Sequence, residues 1–240
     1  MERFKYNYHF RIISFALCWV FSLLSLSAKE DLQSWNPVQF NYNIDDTWSV
    51  SMQSELRLGG GINEYTQQVL KPGVHYRIDD VWTVSLGYKY IIKNHDGDEQ
   101  DLWQELTYHW DLGKLKGAHQ FRMEERFLDD VGGVIPRARF LSHFSYPMAE
   151  TDWHYVGSGA IRFNLDDKGE GPVEGFEQTR FFAGLSHPIG ERSKVEFGYL
   201  WRYEQEREGP SVSDHAIHIM WVFNFGHERV PKPKPAKHYR

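Results

Sequence analysis

The chain has 240 residues, 16% of them aromatic and 25% charged, with a net charge of −6 and a mean hydropathy of −0.58. The acidic balance argues against a nucleic-acid footprint. One cysteine, Cys18, excludes both a disulfide framework and a thiolate metal site.

Residues 1–28 open with Arg3, Lys5 and Arg11, continue as an apolar run from Ile12 to about Leu26, and close on small residues at Ser25, Ser27 and Ala28. That order is expected for a cleaved secretory signal peptide, and the run is short for a membrane anchor. Without its three basic residues and one acidic residue the net charge falls from −6 to −8.

From residue 47 onward, period-2 alternation recurs almost everywhere. In "TWSVSMQSELRL", Trp48, Val50, Met52, Leu56 and Leu58 share a face opposite Ser49, Ser51, Gln53, Glu55 and Arg57. In "KVEFGYLWRYE", Val195, Phe197, Tyr199, Trp201 and Tyr203 oppose Glu196, Gly198, Arg202 and Glu204. Ten strands are predicted: 47–58, 65–78, 81–92, 101–111, 118–127, 136–146, 153–164, 176–186, 194–204 and 214–225. Short connections alternate with mostly longer ones rich in Gly, Asp and Glu, the pattern of an up-and-down barrel with unlike ends. The text "IDDTWSVSM" at 44–52 returns as "IDDVWTVSL" at 78–86, which duplicated hairpin geometry explains.

The expected fold is an all-β, antiparallel, up-and-down transmembrane barrel of about ten strands, or twelve, with short periplasmic turns and longer extracellular loops. Strands of ~10–12 residues suit a tilted bilayer crossing, and aromatics crowd the segment ends as an interfacial girdle requires. The barrel proper occupies 47–226. Residues 29–46 remain open as a plug, a strand beside the barrel, or a wall strand that changes the count. The tail 227–240 alternates Lys with Pro and is expected to be disordered and periplasmic. The last strand ends with Ile217, Ile219, Trp221, Phe223 and Phe225 on one face. Its aromatic end is like the C-terminal signal by which outer-membrane barrels are assembled. The expected partners are therefore outer-membrane lipid and the assembly machinery of a Gram-negative envelope, with the protein a monomer in the cell outer membrane.

If the aromatics face lipid, the lumen receives a charge network: Glu55, Arg57, Glu105, Arg122, Glu124, Arg126, Arg137, Arg139, Arg162, Arg180, Glu196, Arg202 and Glu204. Lys89, Arg77, Gln178 and His75, His109, His143, His154 and His218 share that face. Arginine suits such a space because its planar fork holds carboxylates while staying charged. One hairpin register sets Glu124 against Arg139 and Arg126 against Arg137, with Glu55, Glu105 or Glu204 relieving the like pair. Glu125 falls on the lipid face and is expected at the extracellular headgroup rim.

No nucleophile motif is present: Ser142 precedes His143, but adjacent strand residues point to opposite faces. Asp96, Asp98, Glu99 and Asp101 are weak candidates for a hard cation, without calcium-loop spacing. No cofactor is expected. The leading expectation is a structural or interaction barrel with a filled lumen. The alternatives are a narrow channel for small solutes or ions and a hydrolase acting at the extracellular rim.

Taken in order, Trp35-Asn36, Glu55-x-Arg57, Gly87-Tyr88-Lys89-Tyr90, Trp103-Gln104-Glu105, Arg122-x-Glu124-x-Arg126, Arg137-x-Arg139, Gln178-x-Arg180 and Gly198-Tyr199-Leu200 resemble a family of bacterial secreted β-proteins catalogued as a domain of unknown function. The likeness runs over about 35–226. It implies an outer-membrane barrel and carries no activity.

Overall fold

Alternation of apolar and polar residues leaves each segment one stable use, as a strand with two unlike faces. In the computed structural model, residues 28–228 apart from 96, 168 and 170 are described. They form eleven strands: β1 Lys29–Asn43, β2 Trp48–Gly59, β3 Glu64–Arg77, β4 Trp82–Lys93, β5 Glu99–Leu112, β6 Leu115–Leu128, β7 Val131–Pro147, β8 His154–Asn164, β9 Gly175–Pro188, β10 Ser193–Glu204 and β11 Val212–Gly226. The expected signal segment and Lys/Pro tail fall outside the described residues but for their inner edges.

The strands close into one barrel in chain order. Neighbours are antiparallel except at the seam, where β1 runs parallel to β11 from Lys29↔Val212 to Asn43↔Gly226. Residues 29–43, open in sequence as plug or strand, are a wall strand. The resulting count of eleven falls within the ten to twelve expected, and being odd it separates the chain ends. An even barrel puts both chain ends on one side, whereas here β1 starts at the long-loop end and β11 finishes at the short-turn end.

The repeated "IDD" text builds two turns of one design. Asp45 Oδ1 accepts from the amides of Thr47 and Trp48, each at 2.7 Å. Asp79 Oδ1 accepts from Val81 at 2.8 Å and Trp82 at 2.7 Å. A short carboxylate that bonds its own backbone two and three residues on is a compact way to reverse a strand. The tryptophans that follow then meet the neighbouring strand's tyrosine in the same way, Trp48 with Tyr76 at 4.8 Å and Trp82 with Tyr108 at 4.9 Å.

Large apolar side chains point away from the barrel and are exposed, among them Leu32, Phe40, Met52, Leu86, Leu106, Phe121, Phe140, Phe197 and Ile217. At the short-turn end the outward positions are Tyr42, Trp48, Tyr76, Trp82, Tyr108, Tyr146 and Tyr155. Buried positions on the opposite face are dominated by Arg, Lys, Glu and Asp, around a small apolar cluster of Trp35, Leu200 and Ala216. A soluble barrel has the reverse distribution.

Candidate functional site

Toward the long-loop end, five neighbouring or facing strands bring their charges into one ion-pair plug. On β5, Glu99, Asp101, Trp103 and Glu105 all point inward, because the strand begins at residue 99 and alternates from there. Arg126 of β6 grips Glu99 with both arms of its fork, at 3.1 and 3.0 Å, and donates to Glu177 of β9 at 2.8 Å. Arg137 of β7 donates to Glu124 at 2.6 Å, to Glu177 at 3.0 Å and to Asp101 at 3.3 Å. Lys89 of β4 pairs with Glu99 at 3.3 Å and also with Asp101. Asn164 ties the plug to the β8–β9 loop by donating to the Val173 carbonyl at 3.1 Å. Arg122 approaches Glu124 at 3.7 Å and Lys93 approaches Glu99 at 4.0 Å, so every carboxylate of the plug meets at least one cation, as such buried charges require.

Below the plug the balance changes. Arg122, Arg139 and Arg162 are direct register partners on β6, β7 and β8. The row continues through Arg180 on β9 to its partner Arg202 on β10. Among the described residues, ion pairs are made at its two ends. Glu105 accepts from Arg122 at 2.8 Å, while Asp214 of β11 and Glu204 hold Arg202. Arg180 donates to Gln178 and lies over the Trp35 ring at 4.7 Å.

Two inward tryptophans act as platforms for this layer. Arg57 stacks on Trp35 at 3.7 Å while paired to Glu55, and Trp35 donates its indole N–H to Gln33 at 2.7 Å. Arg122 lies over Trp103 at 4.2 Å. Glycine is required beneath that second ring. A Cβ on Gly87 would come within 2.2 Å of the indole, and one on Gly73 within 2.9 Å. Arginine over an indole face gains cation–π attraction that partly replaces lost hydration.

The lumen below the plug is a cavity of about 710 Å³. Its wall reaches the short-turn end at Asn41, Ser145, Lys194 and Asn224, where the Lys194 side chain is 44% exposed. Glu196 pairs with Lys194, and His143 and His218 also line this space. His75 bridges Ser51 and Ser85 at 2.8 Å each, and His109 meets Thr83 at 3.2 Å.

The residues of the expected charge network are buried, line the lumen cavity or, like Arg202 and Glu204, pair beside it, and the structure divides them into plug, arginine row and cavity. The predicted β6–β7 register is corrected. Glu124 opposes Arg137 and Arg122 opposes Arg139, while Arg126 opposes Ile135. The strands extend almost to the Asp129-Asp130 turn and carry a register shift beside Arg126, so the pairing moves by two residues. Glu99 and Asp101, weak cation candidates in sequence, are strand residues held by lysine and arginine in the plug.

Asp98 accepts from the Tyr90 hydroxyl at 2.5 Å and the Lys93 amide at 3.1 Å. Those bonds hold its carboxyl below the ordinary value. Asp96 lies outside the described residues. On β11, Ile217, Ile219, Trp221, Phe223 and Phe225 share the outward face, and Phe223 stacks on Phe40 of β1 at 5.4 Å. Glu125 points outward and is exposed, three residues from the long-loop end of β6.

Sequence reasoning missed Glu177, Asp214 and Lys71. A register shift between Arg162 and Phe163 turns both Glu177 and Gln178 inward, breaking the alternation that would have located Glu177. Asp214 and Lys71 obey alternation and were legible. Another pairing was also missed: Ser142 meets His119 of β6 at 2.6 Å on the outward face. The pair sits among Tyr108, Trp110 and Phe140, toward the short-turn end rather than the long-loop rim.

Fold and lumen together define a closed β-barrel with a buried Arg/Glu network. The chain belongs to the family described as protein of unknown function (DUF2490), whose model matches residues 32–213. An uncharacterised protein of Methylorubrum extorquens is 28% identical over 224 residues, covering 88% of this chain and 96% of that one. No solved structure matches.

Proposed function

We propose that this barrel sits in the outer membrane with its apolar face in lipid, and serves as a structural or interaction element whose lumen is sealed to ion flow. The observation that carries this reading is the inverted distribution of side chains, apolar outward and charged inward. Soluble monomers rarely leave contiguous apolar patches above a few hundred Å² in water. On β1 the outward face spans ten residue steps from Leu32 to Tyr42, apolar at Leu32, Val38, Phe40 and Tyr42, with Ser34 and Asn36 between them hydrogen-bonded to each other. At ~3.3 Å per residue and a tilt of ~40°, that is roughly 25 Å of height, the apolar band of an outer-membrane barrel. Closure supports the same reading, since an open edge in hydrocarbon leaves backbone groups unpaired.

The sealed lumen follows from the plug. Its carboxylates are each held by Lys89, Arg126 or Arg137 across β4, β5, β6, β7 and β9, so this layer blocks the lumen with paired charges. The test is fractionation followed by planar-bilayer recording. The protein is expected in the outer-membrane fraction, with no stable conductance steps. Recovery from the soluble periplasm would refute the membrane location, and reproducible ion-selective steps would refute the seal in favour of a narrow channel.

A further inference from the structure

We propose that the lumen cavity below the plug is a binding site for a small phosphate-bearing anion, entering from the short-turn end. Eight basic and three acidic side chains line this cavity, in a chain whose net charge is −6. The excess is concentrated. Arg122, Arg139 and Arg162 stand side by side on three adjacent strands. Like charges in direct cross-strand register are destabilising, so a row of three needs compensation.

Arg122 has its own in Glu105. Among the described residues, Arg139 and Arg162 form no ion pair, and the buried Nε of Arg162 has no hydrogen-bond partner. Lys71 of β3, also without an ion pair among the described residues, lines the same cavity close to Arg122 and Arg139. Arg180 closes the group on the far side, bonded only to a neutral amide and stacked on Trp35.

Unpaired guanidinium groups held in a partly enclosed space cost free energy unless an anion meets them. Three features select phosphate. Guanidinium forks bind phosphate oxygens bidentately. Donors arrive from β3, β7, β8 and β9, a spread of directions that a tetrahedral oxyanion can meet and a planar carboxylate meets less well. The cavity of about 710 Å³ exceeds a bare phosphate and leaves room for an attached group. Its lining reaches the short-turn end at Asn41, Ser145, Lys194 and Asn224, the route by which a water-soluble solute would enter.

The site stands on the lumen charges alone, so it can be tested in detergent wherever the barrel resides. Purified full-length protein is titrated calorimetrically with inorganic pyrophosphate, inorganic phosphate and citrate, against sodium chloride at matched ionic strength. Pyrophosphate is expected to bind one per chain, tighter than citrate, and to raise the thermal midpoint. Arg139→Gln and Arg162→Gln should each weaken it at least about tenfold, because each removes a charge-assisted donor. Lys116→Gln, on an exposed short-turn side chain, should bind as the native chain does. Both arginine variants relieve repulsion, and an unchanged circular dichroism spectrum confirms that they fold. Heat and midpoint changes no larger than those with chloride would overturn the site, as would unaltered affinity in both arginine variants. Tighter binding of citrate would overturn its assignment to phosphate.

Discussion

Arg137 and Arg139 are two residues apart on one face of β7, and their surroundings are opposite. Arg137 is 2% exposed and touches Glu124, Glu177, Asp101 and Glu99. Arg139 has arginines as its register partners on both sides. Removing one member of a buried ionic cluster strands the others, at a cost of about 3–5 kcal/mol. Arg137→Gln should therefore lower unfolding stability in detergent by about that amount. Arg139→Gln should cost little or raise the stability of the anion-free protein. Urea midpoints of the two variants measure the contrast, and equal losses would refute the division of the lumen into plug and row. In sequence the two arginines look alike, both alternating inward. Their difference depends on a register moved by two residues at the β6–β7 turn, which alternation alone leaves unspecified.

At the scale of the strand, β1 carries most of what the sequence left open. Pro37 lies within it, and proline lacks the N–H that a central strand needs. The structure accommodates it with a gap in the β1–β11 ladder at residues 36–37. Pro72 in β3 sits in a similar gap toward β4. Pro37, and the short alternation around "SWNPVQF", left the wall strand as one of three open readings. The hairpins from β2 onward were legible because each pairs one alternating run with the next across a turn signal. Parallel closure has its own test. Asn41 and Asn224 are register partners whose side chains hydrogen-bond at 3.0 Å. Replacing both by cysteine should give a disulfide on mild oxidation, read as a shift in gel mobility. Were residues 29–43 a plug instead, the two cysteines would not be held together and the shift would be absent.

For the whole molecule, the central claim is that one face of every strand meets lipid while the other is withdrawn into a charged lumen. The lipid is the proposal; that each strand has an apolar outward face and a charged inward one was legible from period-2 alternation. The arrangement of charge within the lumen was not, because it is set by pairings between strands and by bulges. β4 offers the most direct test at adjacent residues, with Leu86 58% exposed and Ser85 8% exposed. With the one native cysteine, Cys18, replaced, single-cysteine variants Leu86→Cys and Ser85→Cys can each carry a nitroxide in reconstituted bilayers. Collision with dissolved oxygen, which partitions into hydrocarbon, is then compared with collision with a water-soluble nickel chelate. The expected result is a label at position 86 that meets oxygen and not nickel, and a label at position 85 that is shielded from oxygen. A position-86 label reached freely by nickel, or equal oxygen access at both positions, would contradict a lipid-facing outer wall.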